Sequence, residues 1–184
     1  MTIKPLADRV VVKLVETTTE ISRDSSDNSN MNLEKEIFTS CTQQTEEVGR
    51  KLALEISGDP ALPRFVALFG DLGVGKTAFV RGFTEIFAPG ARVKSPTFAL
   101  VNEYKPASKG SPSVFHFDMY RINDEDELYS IGFFDYLERN GIALVEWSEN
   151  IEYALPKDRF SVTIEKCSES EPDKRRIVVR MLGA

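Results

Sequence analysis

One run of eight residues carries the clearest chemical signal in this sequence. It fits the pattern G-x-x-x-x-G-K-[ST] at every position, and its residues are Gly70, Asp71, Leu72, Gly73, Val74, Gly75, Lys76 and Thr77. Glycine permits backbone angles that a Cβ would block, so successive N–H groups can converge on a phosphate at a helix N-terminus. Lys76 can neutralise the β- and γ-phosphates, and the hydroxyl of Thr77 can bind Mg²⁺. The run is a P-loop, which predicts binding of a nucleoside triphosphate but leaves the reaction open.

The residues on either side of the P-loop predict the elements that hold it. Residues 65–69 before it form an apolar run with the length of a buried strand. Apolar residues recur at helical spacing from Ala78 to Phe87 after it. A strand, a glycine loop and a helix in this order are the context in which the pattern binds phosphate. A glycine-rich turn without function is therefore the weaker interpretation.

A metal bound beside a triphosphate needs an acidic side chain at the end of a neighbouring strand, and two positions compete for this role. Glu146 directly follows the apolar residues 142–145, and Asp118 follows the strand-like residues 114–117. We favour Glu146 as the metal ligand because its strand is apolar throughout, as in the centre of a parallel sheet. Asp118 is then left to contact a water, the γ-phosphate side or the lysine of the P-loop.

Three further side chains have competing interpretations. Thr97 stands in a Ser-Pro-Thr turn after the P-loop helix, at the chain position of a γ-phosphate-sensing switch, but it could equally cap a loop. Trp147 follows Glu146 directly and is expected to be a lid or a packing residue. His116 lies within an alternating strand, and we favour a structural role for it.

Composition limits the classes of function. The chain has 184 residues, of which 41% are hydrophobic, so it can bury a core. Its net charge of −6 disfavours a broad nucleic-acid-binding surface. No apolar run approaches the roughly 20 residues of a membrane span, and the N-terminus lacks the apolar core of a secretory signal. Cys41 and Cys167 lie far apart in the sequence, which favours reduced thiols and a cytoplasmic protein.

The pattern of apolar segments predicts an α/β fold. We expect residues 33–184 to form a three-layer domain of the P-loop NTPase type, with a mostly parallel central sheet, helices on both faces and an antiparallel extension. Residues 1–32 lie outside this domain, with a strand over residues 1–16 and a polar linker over residues 17–30.

Within the domain, periodicity and turn residues predict individual elements. Thr42 is expected to be the N-cap of a first helix, whose inward face comprises Val48, Leu52, Ala53 and Ile56. Residues 99–104 and 114–120 are expected to pair as a hairpin. A helix is predicted over residues 124–137, and strands over residues 142–145, 160–166 and 177–181.

Four separated motifs in this order resemble the bacterial TsaE (YjeE) family. They are GDLGVGKT at 70–77, KSPTF at 94–98, HFD followed by Tyr120-Arg121, and LVEW at 144–147, together with Glu127-Leu128 and Gly132. The resemblance covers residues 38–180. It implies a small P-loop ATPase that is required to make N6-threonylcarbamoyladenosine beside the anticodon of tRNAs that read codons beginning with A.

The resemblance also implies partners and residue roles. The family's partners are TsaD, which carries the transfer chemistry, and TsaB, so tRNA is contacted indirectly through the complex and no membrane is involved. Residues 70–77 would hold ATP, and Thr77 and Glu146 would bind Mg²⁺. The implied catalytic residues are Lys76, Thr97, Asp118 and Glu146. The implied nucleotide contacts outside the P-loop are Thr42, Trp147 and Arg175.

A second resemblance concerns the first twenty residues, which look like the opening strand of the small GroES-like co-chaperonin family. The rest of that family's barrel has no counterpart in this sequence, and a single strand cannot bury itself. We therefore interpret the segment as an appended fragment. It could alternatively add a strand to the sheet edge of another protein.

A small-molecule or nucleoside P-loop kinase is the alternative to the ATPase. Such an enzyme needs an acceptor pocket and usually a basic lid over the phosphates. Residues 124–127 are all acidic instead. This run opposes an anionic acceptor, so the kinase ranks second.

Overall fold

The computed structural model describes residues 16–18 and 34–183. Most of the co-chaperonin-like segment and most of the predicted linker lie outside the described residues. Thr17 and Thr18 were expected in that linker, but they form a short strand with Glu16. This strand pairs antiparallel with residues 35–37.

The described residues form one sheet of eight strands in the order β1-β2-β8-β7-β3-β6-β5-β4. The strands are β1 (Glu16–Thr18), β2 (Glu34–Thr39), β3 (Phe65–Phe69), β4 (Val101–Tyr104), β5 (Ser113–Asp118), β6 (Gly141–Glu146), β7 (Arg159–Lys166) and β8 (Arg175–Leu182). The four central strands, β7, β3, β6 and β5, are parallel. The outer strands on both sides are antiparallel. The α/β prediction is confirmed, with antiparallel strands at both edges of the parallel centre.

Helices cover both faces of the sheet. They are α1 (Thr42–Gly58), α2 (Lys76–Phe87), α3 (Glu125–Ser130) and α4 (Phe133–Leu137), with a 3₁₀ segment at Ser148–Ala154. Helices α1 and α2 bury their apolar faces against one side of the sheet. Helices α3 and α4 and the 3₁₀ segment pack on the other side, over β3, β5 and β6. The result is the expected three-layer arrangement.

Helix α1 differs from the prediction at its start. Thr42 is the first helical residue, and Cys41 occupies the N-cap position without a side-chain capping bond. Gln44 in the first turn instead ties down the residue before the N-cap, because its Oε1 accepts hydrogen bonds from the N–H of Ser40 at 2.6 Å and from the Ser40 hydroxyl at 3.1 Å. The expected inward face of this helix is confirmed as buried.

Helices α1 and α2 touch backbone to backbone at two glycines. A Cβ on Gly49 would lie 2.2 Å from the carbonyl oxygen of Phe79, and a Cβ on Gly82 would lie 1.8 Å from that of Glu46. Only glycine allows this approach. The contact holds the helix that follows the P-loop tightly against α1.

The predicted hairpin and the predicted helix over residues 124–137 had different outcomes. The hairpin is confirmed, because β4 pairs antiparallel with β5. The single helix is wrong, because Gly132 adopts a left-handed φ of 69° and separates α3 from α4. Apolar spacing continues across this break, so periodicity alone could not reveal it.

Candidate nucleotide-binding site

Three parallel strands end at the same edge of the sheet and bring the candidate residues together. The P-loop leaves β3 there, Asp118 ends β5 and Glu146 ends β6. Glu146 is paired in register with Asp118 on one side and with Leu68 on the other. Both acids are only 3% exposed. In parallel α/β sheets, ligands bind at the carboxyl ends of the strands, so this edge is the natural place for a site.

Three glycines give the P-loop a backbone conformation that other residues rarely adopt. Gly70, Gly73 and Gly75 have φ values of 125°, 74° and 112°, all in the region that favours glycine. A Cβ on Gly70 would also lie 2.2 Å from the carbonyl oxygen of Ile164. Helix α2 begins directly after the loop at Lys76. The partial positive charge of its N-terminus therefore faces the position where the loop would hold a phosphate.

Lys76 is almost completely buried at this edge, with 4% of its surface exposed. Its Nζ donates to the carbonyl oxygen of Asp71 at 3.0 Å and to that of Gly70. The same Nζ lies 3.6 Å from the centre of the Trp147 ring. Burial lowers the pKa of Lys76, and the nearby carboxylates, above all Glu146, act in the opposite direction. The amine is thus held by neutral carbonyls and a ring face, which an incoming phosphate can replace.

Glu146 connects the P-loop helix to β5. Its Oε1 accepts a hydrogen bond from the hydroxyl of Thr77 at 2.8 Å and lies 2.8 Å from Nε2 of His116. A hydroxyl that donates its proton to a carboxylate keeps its lone pairs for a cation. Thr77 and Glu146 are therefore close enough to share one metal ion.

Asp118 is the centre of a second hydrogen-bonded group. Its Oδ2 accepts hydrogen bonds from Ser95 at 2.6 Å and from Thr97 at 3.1 Å. Its Oδ1 accepts from the backbone N–H of Tyr120 at 3.1 Å, which turns the chain at the end of β5. The Ser-Pro-Thr turn is thereby attached to the site through both of its hydroxyls.

These groups surround a cleft of about 480 Å³. Its lining residues are Asp71, Leu72, Gly73, Gly75, Lys76, Thr77, Ser95, Thr97, Asp118, Tyr120, Glu146 and Trp147. Ser95 and Tyr120 were not among the predicted site residues, although both belong to motifs named above, Ser95 to KSPTF and Tyr120 to the pair after HFD. The hydroxyl of Ser95, two residues before Thr97, was the available signal.

Four predicted contact residues do not line the cleft. Gly70 and Val74 belong to the loop itself, and Val74 is buried. Thr42 is exposed at the start of α1. Arg175 contacts the backbone of the P-loop without lining the cleft, since its Nε donates to the carbonyl oxygen of Val74 at 2.8 Å. In this structure it supports the P-loop backbone.

The donor set fits Mg²⁺. Thr77 and Glu146 present a hydroxyl and a carboxylate, the hard oxygen ligands that Mg²⁺ prefers, within hydrogen-bond distance of each other. Among the described residues no group of three or more His, Cys, Asp or Glu could hold a metal on its own. Within the same part of the chain, no helix is long and apolar enough to cross a membrane.

Comparison with known proteins identifies the family to which the chain is related. The family model described as "Threonylcarbamoyl adenosine biosynthesis protein TsaE" matches residues 39–177. The chain is 37% identical over 118 residues to the tRNA threonylcarbamoyladenosine biosynthesis protein TsaE of Bacillus subtilis, covering 64% of this chain and 70% of the relative. It is 40% identical over 120 residues to the protein of the same name from Haemophilus influenzae, covering 64% and 73%.

A solved structure agrees with the sequence relatives. The crystal structure of Bacillus subtilis YdiB matches with a TM-score of 0.61 and 29% sequence identity, covering 84% of this chain and 90% of that one. The range that the family model matches, residues 39–177, contains the P-loop, both strand-end acids and the Ser-Pro-Thr turn. On the strength of the family match and these relatives, the chain belongs to the TsaE family.

Proposed function

We propose that this chain is an Mg²⁺-dependent ATPase that acts in the formation of N6-threonylcarbamoyladenosine in tRNA. The observation that carries the proposal is the convergence of the P-loop, Lys76, Thr77, Asp118 and Glu146 on one cleft. The relatives from Bacillus subtilis and Haemophilus influenzae are named as tRNA threonylcarbamoyladenosine biosynthesis proteins, which supports the pathway. Because the proposed function is in tRNA modification, we propose that the chain is located in the cytoplasm.

The residues divide the chemistry among them. The P-loop N–H groups and Lys76 would bind the phosphates and neutralise the charge that develops on the γ-phosphate. Thr77 and Glu146 would hold Mg²⁺, which neutralises phosphate oxygens when bound. Asp118, oriented by Ser95 and Thr97, would position the water whose oxygen attacks the γ-phosphorus. ADP leaves in line with this attack.

The cleft lacks one component of a fast ATPase. Of the described residues that line it, none is an arginine. An arginine that neutralises the transition state raises kcat by about 10³–10⁵ in related phosphoryl-transfer enzymes. We therefore propose that hydrolysis is slow in the isolated chain and that TsaD and TsaB, the proposed partners, complete the site. Contact with tRNA would be indirect, through that complex.

The test measures ATP hydrolysis by the chain alone and with TsaD and TsaB, together with repeated threonylcarbamoyl transfer to tRNA. Lys76→Ala should lower hydrolysis by at least about 10²-fold and stop repeated modification. Lys109→Ala, in an exposed loop, is the matched control and should behave as wild type. Repeated modification at the wild-type rate by Lys76→Ala would contradict the proposal. Phosphate transfer to nucleosides faster than to water would favour the kinase alternative.

A further inference from the structure

His116 is the only histidine in the chain and is completely buried. It lies on β5, two residues before Asp118, and is paired in register with Leu144 of β6. Its Nε2 lies 2.8 Å from Oε1 of Glu146. Its Nδ1 is buried and has no hydrogen-bond partner among the described residues. A fully buried polar ring at the base of the cleft requires an explanation.

The surroundings determine which nitrogen carries the proton. An ionised carboxylate only accepts hydrogen bonds, so Nε2 must be the donor to Glu146. Nδ1 lacks an acceptor, and a buried N–H without a partner is rarer in proteins than an unpaired acceptor. A proton on Nε2 therefore suits both surroundings, because Nε2 faces the carboxylate of Glu146 and Nδ1 faces no hydrogen-bond partner among the described residues.

We propose that His116 is a positioning residue that holds Glu146 in the orientation needed to bind Mg²⁺ with the nucleotide. This inference rests on the proposed ATPase function. Oε1 of Glu146 receives two donors, His116 and Thr77. Both of these contacts end on Oε1, so neither of them occupies Oε2. The carboxylate is fixed through one oxygen, and the other is left for a metal ion or its water.

The ring of His116 is itself held firmly. It has no exposed surface, and the Tyr104 ring lies nearly parallel to it at 28°, with the ring centres 6.4 Å apart. Its strand is paired on both sides, with Asn102 of β4 and Leu144 of β6 opposite it. A donor on such a rigid support limits the rotamers of Glu146 before the metal arrives. Loss of comparable supporting contacts typically costs 10- to 100-fold in metal affinity.

Two variants separate positioning from simple packing. His116→Leu fills the space but removes the donor, whereas His116→Gln keeps an N–H donor near the position of Nε2. Nucleotide binding is measured by calorimetry with ADP, once across a Mg²⁺ titration and once in EDTA. We expect His116→Leu to raise the Mg²⁺ concentration for half-maximal binding by about 10- to 100-fold. Binding in EDTA should stay within about twofold, and His116→Gln should recover most of the Mg²⁺ dependence.

Two outcomes of this measurement would overturn the inference. One is the same Mg²⁺ dependence in His116→Leu as in wild type. The other is an equal loss of ADP binding with and without Mg²⁺ that His116→Gln does not recover, because this would show a packing role only.

A measurement on the unsubstituted protein tests the contact even if a variant fails to fold. Because the chain has a single histidine, the ¹⁵N signals of one imidazole ring can be read without ambiguity in protein lacking an affinity tag. We expect a proton on Nε2, before and after addition of Mg²⁺ and ADP, because Nε2 faces the carboxylate of Glu146. A ring protonated on Nδ1 alone would overturn the proposal. If wild-type protein failed to bind nucleotide while the Nε2 proton was present, the ATPase proposal would fail and the His116–Glu146 contact would stand.

Discussion

The ammonium group of Lys76 lies 3.6 Å from the centre of the Trp147 ring, within the range of a cation–π contact. Trp147 has a left-handed φ of 62°, which is unusual for a residue other than glycine. The ring of Tyr120 lies 4.8 Å away from it, centre to centre. The tryptophan is therefore held at the mouth of the cleft, directly against the residue that would contact the phosphates.

The first prediction uses this contact as a reporter. Trp147 is the only tryptophan in the chain, so tryptophan emission comes from the site alone. When phosphates bind Lys76, its ammonium should leave the ring face, and both the intensity and the wavelength of emission should change. The measurement is a fluorescence titration with ATP and Mg²⁺. Unchanged emission at concentrations where calorimetry shows saturation would contradict this arrangement.

The second prediction concerns stability and pH. Burial lowers the pKa of Lys76 in the folded protein, whereas in the unfolded chain it is about 10.4. At pH values below this lowered pKa, Lys76 is charged in the folded protein, and burial of that charge destabilises the fold. Stability should recover as pH rises towards about 10.4, because the unfolded state binds the extra proton in that window.

We therefore expect Lys76→Met to unfold at a higher urea concentration than wild type at pH 7. The difference in urea midpoint between Lys76→Met and wild type should shrink as the pH approaches about 10.4, the pKa of lysine in the unfolded chain. Lys109→Met, at an exposed site, should show no such trend. A lower urea midpoint for Lys76→Met at pH 7 would mean that its carbonyl and ring contacts outweigh the cost of burial.

The third prediction tests the group around Asp118. Asp118→Asn should lower ATP hydrolysis by about 10²–10⁴-fold, the range typical of a lost base or water-positioning group, while nucleotide affinity changes only a few-fold. Ser95→Ala and Thr97→Ala each remove one donor to Oδ2. Each should cost about 1 kcal/mol, or roughly fivefold in rate.

The exposed pair Ser168 and Ser170 supplies the control for these hydroxyl deletions. Their hydroxyls lie 3.0 Å apart in an exposed turn, and neither residue lines the cleft. Ser168→Ala should leave the hydrolysis rate unchanged. Equal rates for Asp118→Asn and wild type would remove Asp118 from the chemistry.

The fourth prediction concerns the contact between α1 and α2. Gly82→Ala would place a methyl group against the backbone of Glu46, and we expect a loss of about 3 kcal/mol in the free energy of unfolding. Gly58→Ala is the matched control, because a Cβ there meets no atom within 4 Å. It should be neutral or stabilise by up to about 1 kcal/mol. Urea unfolding measures both, and similar midpoints would show that the helices can separate at little cost.

Local patterns predicted which residues lie together at this edge of the sheet, because each of them is defined by a short segment of the chain. The P-loop is a continuous run of residues, and Asp118 and Glu146 directly follow apolar strands. Parallel strands that neighbour one another bring such strand-end residues to one edge. These features can be read from short segments, and the structure places the three groups around the same cleft.

The features that were missed depend on distant partners. Strand β2 was not predicted, because it has few apolar residues and its Glu36 pairs with Arg176, 140 positions away. Contact between His116 and Glu146 depends on the pairing of β5 with β6, which the sequence does not state. The break at Gly132 requires a left-handed backbone, which glycine permits but does not dictate.

The glycine contact between α1 and α2 also limits how the site can move. Helices whose backbones touch at Gly49 and Gly82 cannot slide past each other without a clash. The P-loop, α1 and α2 should therefore shift together as one rigid block. The turn at Ser95 and Thr97 is joined to Asp118 by side-chain hydrogen bonds instead. If the protein closes around a nucleotide, we expect the turn at Ser95 and Thr97 to move towards the P-loop. The P-loop itself should keep its position relative to α1 and α2.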